Sequence, residues 1–260
     1  MSFDLAEPRD SMRAFVKTRA SLDGADIVTR FAGEVYAWMP GGRSAHLFGI
    51  DGYNVARALE ADGGFDLLTR EAVFYLDPRS REVLRKWENP FTDEAVEVVH
   101  IWNDPVNQRW RLDGPRGPWR VPCKQLGEDV LFTLEVPLAY PSPLQRAQFP
   151  ESSQDDLYTA VEMFGFTTTR RALDDDEPSA HSQVSWTRIA PWLPFMRMAD
   201  RPGQLVYHAA GAKLRGGYAE LPEWMRAEVE GHDAAFTTAP RAFTEPNETS
   251  WTYFRKLAAR

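Results

Sequence analysis

The stretch from Phe65 to Asn103 constrains the fold more than any other part of this chain. It holds three β-prone runs, Phe65–Leu76 (FDLLTREAVFYL), Glu82–Trp87 (EVLRKW) and Ala95–Asn103 (AVEVVHIWN). They are separated by Asp77-Pro78-Arg79-Ser80 and Asn89-Pro90-Phe91-Thr92, and Asp104-Pro105 stops the third. Proline presets φ for a turn, while Asp, Asn and Ser hydrogen-bond their own backbone, so each separator reverses the chain. Three sequential strands joined in this way form an antiparallel meander.

The rest of the chain extends the pattern. A helix is predicted at about 10–20, with Met12, Phe15, Val16 and Arg19 on one face. Strands are predicted at Gly33–Met39, at Ala45–Ile50 (ended by Asp51-Gly52), at Gln108–Leu112 and at Asp129–Val136 (closed by Pro137). Others are predicted at Leu157–Arg171, at Gln183–Ile189 and at Gly203–Leu214, with Gly165 marking a bend. Asn54–Glu60 is predicted as a helical turn, Asp113–Pro118 as a loop, and Tyr140–Pro150 as irregular. Asp174–Pro178 reads as a solvated acidic tip and Pro191–Met198 as an apolar connector. Glu220–Glu230 reads as a helix and Trp251–Leu257 as a last strand or short helix. No linker or fixed repeat divides the chain. About nine or ten strands in sequence favour a closed barrel or a sandwich. The expectation is one mainly β domain over 1–260, a single antiparallel β-barrel of calycin or lipocalin type with a few short helices.

Charge and composition narrow the partners. With 30 Lys and Arg against 38 Asp and Glu, the net charge of −8 repels phosphate backbones and argues against nucleic acid. The single cysteine, Cys123, can form no internal disulfide, which fits a reducing compartment. The N-terminal stretch MSFDLAEPRDSMRAFVK has no apolar signal core. Apolar runs fall short of the roughly 20 residues that span a bilayer. A soluble, cytoplasmic protein is expected, with no membrane partner and with a homodimer left open. Nine Trp, eight Tyr and 15 Phe supply much of the core, and such an excess also suits a cavity for a hydrophobic or aromatic small molecule.

Nucleotide loops, dinucleotide fingerprints, nucleophile elbows and HExxH are missing. His46, His100, His181, His208 and His232 share no metal-ligand spacing, so no metal and no cofactor are expected unless the fold gathers them.

Strand periodicity then selects candidate groups. Thr69, Glu71, Val73 and Tyr75 share one face of the first meander strand; Val96, Val98, His100 and Trp102 share a face of the third that looks buried. An inward His100 beside Glu71 would form an acid–base pair, with Tyr75, Asp104 and Glu162 as further catalytic candidates. Glu162 shares its strand face with Ala160, Phe164 and Phe166, where burial of a charge is costly unless it is paired. Trp87, Trp102, Asn103, Arg188, Tyr207 and His208 are candidate substrate contacts. Tyr207 and His208 point to opposite faces, so one of them must face inward. Arg188 and Arg197 could anchor an anion or pair with these acids.

The run REAVFYLDPRSREVLRKWENPFTDEAVEVVHIWNDPVN (Arg70–Asn107) resembles the bacterial family catalogued as domain of unknown function 1838. SWTRIAPWLPFMRM (Ser185–Met198), GAKLRGGYAELP (Gly211–Pro222) and NETSWTYF (Asn247–Phe254) resemble it too. The resemblance spans about Arg13 to Phe254. It implies a single domain, and it marks Asn103–Pro105 and Pro191–Met196 as family features.

Two functions follow as expectations. One is a cofactor-independent acid–base enzyme of lyase, hydratase or isomerase type, acting on a hydrophobic or aromatic molecule in the barrel. The other is a carrier that binds such a molecule without changing it. The number of converging ionisable groups inside separates the two.

Overall fold

The computed structural model describes residues 2–114 and 117–259. In chain order the strands are β1 (Ile27–Trp38), β2 (Ala45–Ala61), β3 (Gly64–Leu76), β4 (Lys86–Asn89), β5 (Glu94–Glu97), β6 (Ile101–Asn103) and β7 (Gln108–Arg111). They continue as β8 (Asp113–Gly114), β9 (Gly117–Pro118), β10 (Cys123–Leu126), β11 (Asp129–Pro141), β12 (Leu157–Thr169), β13 (Gln183–Ala190) and β14 (Gln204–Lys213). The helices are α1 (Pro8–Arg19), α2 (Arg170–Asp174), α3 (Glu223–His232) and α4 (Ser250–Ala258).

Ten strands form one antiparallel sheet in the order β10-β11-β12-β13-β14-β1-β2-β3-β6, with β7 also on β3. Two meanders, β1–β3 and β11–β14, are joined where β14 pairs with β1. The mainly β, antiparallel expectation is met. A closed barrel is not: among the described residues β10 and β6 remain the two ends of the hydrogen-bonded path. Both end strands are short, and neither offers enough backbone to zip the wings together.

Several boundaries differ from the sequence expectations for identifiable reasons. β2 runs straight through Asp51-Gly52 and the supposed helical turn. Asp51 is not a turn residue: it accepts from Arg30 Nε and Nη2 at 3.1 and 2.7 Å across the sheet. Gly52 sits where a Cβ would lie 2.6 Å from the Ala72 carbonyl oxygen, so the strands approach too closely for a side chain. β11 continues through Pro137 because β10 covers only residues 129–132, leaving Pro137 on a free edge where no N–H is needed. The Asp174–Pro178 tip is not merely solvated, since Asp175 Oδ1 accepts from the buried Lys17 Nζ at 2.7 Å. The expected meander over Phe65–Asn103 does not form. The second run keeps only an isolated bridge to β3 (Leu76 with Val83), and β4 pairs with β5 in a separate two-stranded sheet. Val98 N–H donates to Arg85 O, and the third run meets β3 directly and only through Ile101–Asn103. The expected Asp113–Pro118 loop contains residues 115–116, which lie outside the described residues; its flanks pair as β8 and β9. The Trp251–Leu257 alternative resolves as helix α4.

The core has three parts. Met12, Phe15, Leu67, Trp110, Phe132 and Phe166 pack α1 against one end of the curled sheet. Val35, Phe48, Ile50, Tyr75, Tyr207 and the Trp192–Met198 connector fill the other end. Tyr53, Phe74 and Trp102 pack outward under α3 through Met225 and Val229. Along β3 the inward residues thus pass from one apolar cluster at Leu67, through Thr69 and Glu71, to the other at Val73 and Tyr75. A polar band lies between two apolar ends.

Candidate functional site

A cavity of about 630 Å³ occupies that band. The β1–β3 and β11–β13 wings wall it, while α1, β6, β7 and the start of α4 close it. Phe15, Phe31, Trp110, Phe164, Phe166 and Trp186 make most of its apolar lining.

Its polar groups come from register. Thr29 pairs with Asn54, Asn54 with Glu71, and Glu71 with Asn103. Directly opposed residues of antiparallel strands share a face, so these four form one row across β1, β2, β3 and β6. On the other wing Glu162 pairs with Arg188. All six line the cavity.

In the first row Asn103 Nδ2 donates to Glu71 Oε2 at 3.0 Å. In the second, Arg188 Nη1 lies 3.4 Å from Glu162 Oε1, and Arg188 Nη2 donates to the Tyr158 hydroxyl at 2.5 Å. Arg19, from the last turn of α1, donates through Nη2 to Asn54 Oδ1 at 2.5 Å. Burial raises the Glu71 pKa, and the facing Glu162 adds to this; the Asn103 hydrogen bond, Arg188 and Arg19 oppose it. Burial lowers Arg19 to about 10, against the pull of Glu71. Burial also works against the Arg188 charge, but Tyr158, Glu162 and Tyr207 together hold its pKa well above the ordinary value. Arg19 Nη1, Arg188 Nε, Trp186 Nε1 and Asn103 Oδ1 are buried atoms with no hydrogen-bond partner among the described residues.

Of the candidate residues, the structure therefore brings Glu71, Glu162, Asn103 and Arg188 to one cavity. His100 is not with them. Its Nδ1 accepts the Tyr75 N–H at 3.2 Å, and it lines a separate small pocket with Arg85, Trp102, Glu228 and His232. Burial, with the Arg85 charge behind it, lowers His100 to about 4, as expected for a neutral ring that accepts a backbone bond. The expected His100–Glu71 pair does not form, because the two side chains line different pockets. The inward face of the third strand is Ile101 and Asn103, while Trp102 stacks on His232 at 3.9 Å under α3. Both faces of that strand are covered, so an apolar face did not mark the cavity side.

The remaining candidates sit elsewhere. Tyr75 and Tyr207 are buried below the cavity with their hydroxyls 3.4 Å apart; burial pushes Tyr207 up to about 12. Trp87 packs on Phe48 at 4.9 Å. Asp104 pairs with Arg70 Nε at 2.8 Å. His208 is exposed on the outer face beside Thr187, so Tyr207 is the inward member of that pair. Arg197 pairs with Glu94 and Glu151 on the surface.

Sequence reasoning missed Arg19, Asn54, Tyr158 and Trp186. A signal existed for one of them: Arg19 shares the apolar face of α1 with Met12, Phe15 and Val16, where a cation needs a reason to be. Among the described residues no group of three or more His, Cys, Asp or Glu gathers as metal ligands, and no helix is long and apolar enough to cross a membrane.

The sequence profile of the family described as "Protein of unknown function (DUF1838)" matches residues 24–258, and the chain belongs to that family. No curated protein matches the chain.

Proposed function

We propose that this member of the DUF1838 family holds a small, largely apolar molecule in the cavity and moves a proton on it with Glu71. The curled sheet acts as a barrel-like cup in which the molecule is shielded from water. The observation that carries this reading is the unequal environment of two carboxylates in one cavity. Glu162 is paired with Arg188, whereas Glu71 is desolvated, has no ion-pair partner among the described residues, and is oriented by Asn103 through one oxygen. A carboxyl group whose pKa is raised toward neutrality can both give and take a proton, and two acids in different surroundings divide the acid and base roles. No cofactor is required for such chemistry, which covers lyase, hydratase and isomerase reactions.

One observation favours the alternative, a carrier. His100, the group expected to partner Glu71, lies in another pocket, so the cavity offers fewer freely titrating groups than sequence suggested. A single experiment separates the two. The protein is incubated in D2O with an apolar metabolite extract, and carbon-bound deuterium is followed by mass spectrometry. Under the enzyme reading, uptake occurs and Glu71→Gln slows it on the order of 10²-fold. Uptake slowed less than about threefold would move the role to another residue. A molecule that is retained but never exchanges would make the protein a carrier.

A further inference from the structure

The cavity leaves cationic donors unused. Arg19 is bonded to Asn54, a neutral amide, and its Nη1 has no partner; Arg188 spends Nη1 and Nη2 on Glu162 and Tyr158 and leaves Nε free. Trp186, two residues before Arg188 on the same face of β13, presents a free Nε1. Three of the five buried lining atoms without a hydrogen-bond partner among the described residues are therefore N–H donors; the other two are Asn103 Oδ1 and Glu248 Oε1, the latter ion-paired to Lys256. A buried guanidinium without a counter-ion is costly, and the neighbours of Arg19 add to the cost. Lys213, with Nζ bonded to Lys17 O, Ala20 O and Ser179 Oγ, is pushed down to about 6 by burial and by the Arg19 and Lys17 charges.

We propose that the ligand of this cavity is an apolar monocarboxylate, its carboxylate held by the donors that Arg19 and Arg188 leave free and its body packed on the aromatic lining. This rests on the reading of the cavity as a small-molecule site.

Charge balance selects a monoanion. Arg19 and Arg188 face Glu71 and Glu162, and Glu248 at the rim is neutralised by Lys256 at 2.6 Å. When Glu71 takes up a proton in the complex, one positive charge is left over for the ligand. A phosphate dianion would overshoot, and would meet Glu162 without a second free cation. Glu71 faces Arg19 on α1, Asn54 on β2, Asn103 on β6, Glu162 on β12 and Arg188 on β13, with Tyr75 farther along its own strand. A second anion beside it favours its protonated form, so binding of the carboxylate takes up a proton and weakens as pH rises through the Glu71 titration.

The test uses two matched pairs of probes, decanoate with decanol and cinnamate with cinnamamide, titrated calorimetrically into the ligand-stripped protein. At least one acid is expected to bind ten-fold or more tightly than its neutral partner. Its affinity should fall with rising pH, and proton uptake should appear as a heat that depends on the buffer. Arg19→Gln should abolish the preference for the acid, and Glu71→Gln should abolish the pH dependence. Equal binding of neutral and acid, or binding by neither acid, overturns the proposal. So does a preference that survives Arg19→Gln. If Arg19→Gln does not fold, the matched pairs on the wild-type protein still decide. Acids that bind in a protein showing no deuterium exchange would leave this inference standing while removing the proton-transfer role, and neutral ligands that exchange in a Glu71-dependent way would do the reverse.

Discussion

Arg188→Met tests whether the second polar row is a true buried ion pair. Arg188 and Glu162 expose only 15% and 20% of their side chains, so solvent screens them weakly. The guanidinium also lies 5.8 and 5.9 Å from the ring centres of Tyr207 and Trp251. Methionine keeps most of the aliphatic stem and removes the charge. Glu162 then stays behind as an uncompensated carboxylate, and the Tyr158 hydroxyl loses its donor. Breaking a buried pair in this way costs roughly 3–5 kcal/mol, and the residual exposure of both side chains favours the lower end, about 3. For a chain of this size that is a fall in Tm of about 6–12 °C. The assay is urea or thermal unfolding of the two single variants and the double variant Arg188→Met/Glu162→Gln. If the pair is coupled, the double variant is more stable than the sum of the singles implies, by about 2 kcal/mol. A single-variant cost below about 1 kcal/mol, or strict additivity in the cycle, would refute the reasoning.

Two further predictions concern pH. His100 has a pKa lowered from 6.5 to about 4, so the unfolded chain binds a proton there that the folded protein does not. Stability from this group is present above pH 6.5 and is lost as pH falls toward 4, by up to about 3 kcal/mol. His100→Gln should flatten that acid limb in urea titrations, and parallel curves would show that His100 is not the group responsible. Glu71 has the opposite sign: its pKa is raised above 4.5, so its contribution is full below 4.5 and is lost as pH rises through the folded value. Glu71→Gln should therefore gain on the wild type as pH increases, and a constant difference between pH 5 and pH 8 would argue that Glu71 is not desolvated.

Part of this architecture is legible in the sequence because successive residues of a strand point to opposite faces, so the members of one face can be read off together. On β3 the alternation puts Thr69 and Glu71 on the cavity side, where they are found. The same holds for Glu162 with Phe164 and Phe166 on β12. The rule fails on β6. There α3 covers the outer face, so His100 and Trp102 look as buried as Ile101 and Asn103, and hydrophobicity carries no sign. It also fails for Arg19, which comes from a helix rather than a strand. Its place in the cavity depends on where α1 docks, and that follows from the packing of Phe15 against Trp110 at 4.5 Å and on Phe132 and Phe166.

The row Thr29–Asn54–Glu71–Asn103 depends on register, which local pattern cannot supply. A slip of one residue in β2 would turn Asn54 out of the cavity, away from Arg19, and carry the rest of the strand with it. The residues that prevent the slip are the two that most resemble a turn. Asp51 locks β2 to β1 through both bonds to Arg30. Gly52 lets β3 approach so closely that a Cβ would lie 2.8 Å from Val73 Cα. A side chain at that position would force the strands apart or shift their pairing. The Asp-Gly pair that suggests a chain reversal is thus what aligns Asn54 with Glu71, and the polar row exists because β2 does not turn there.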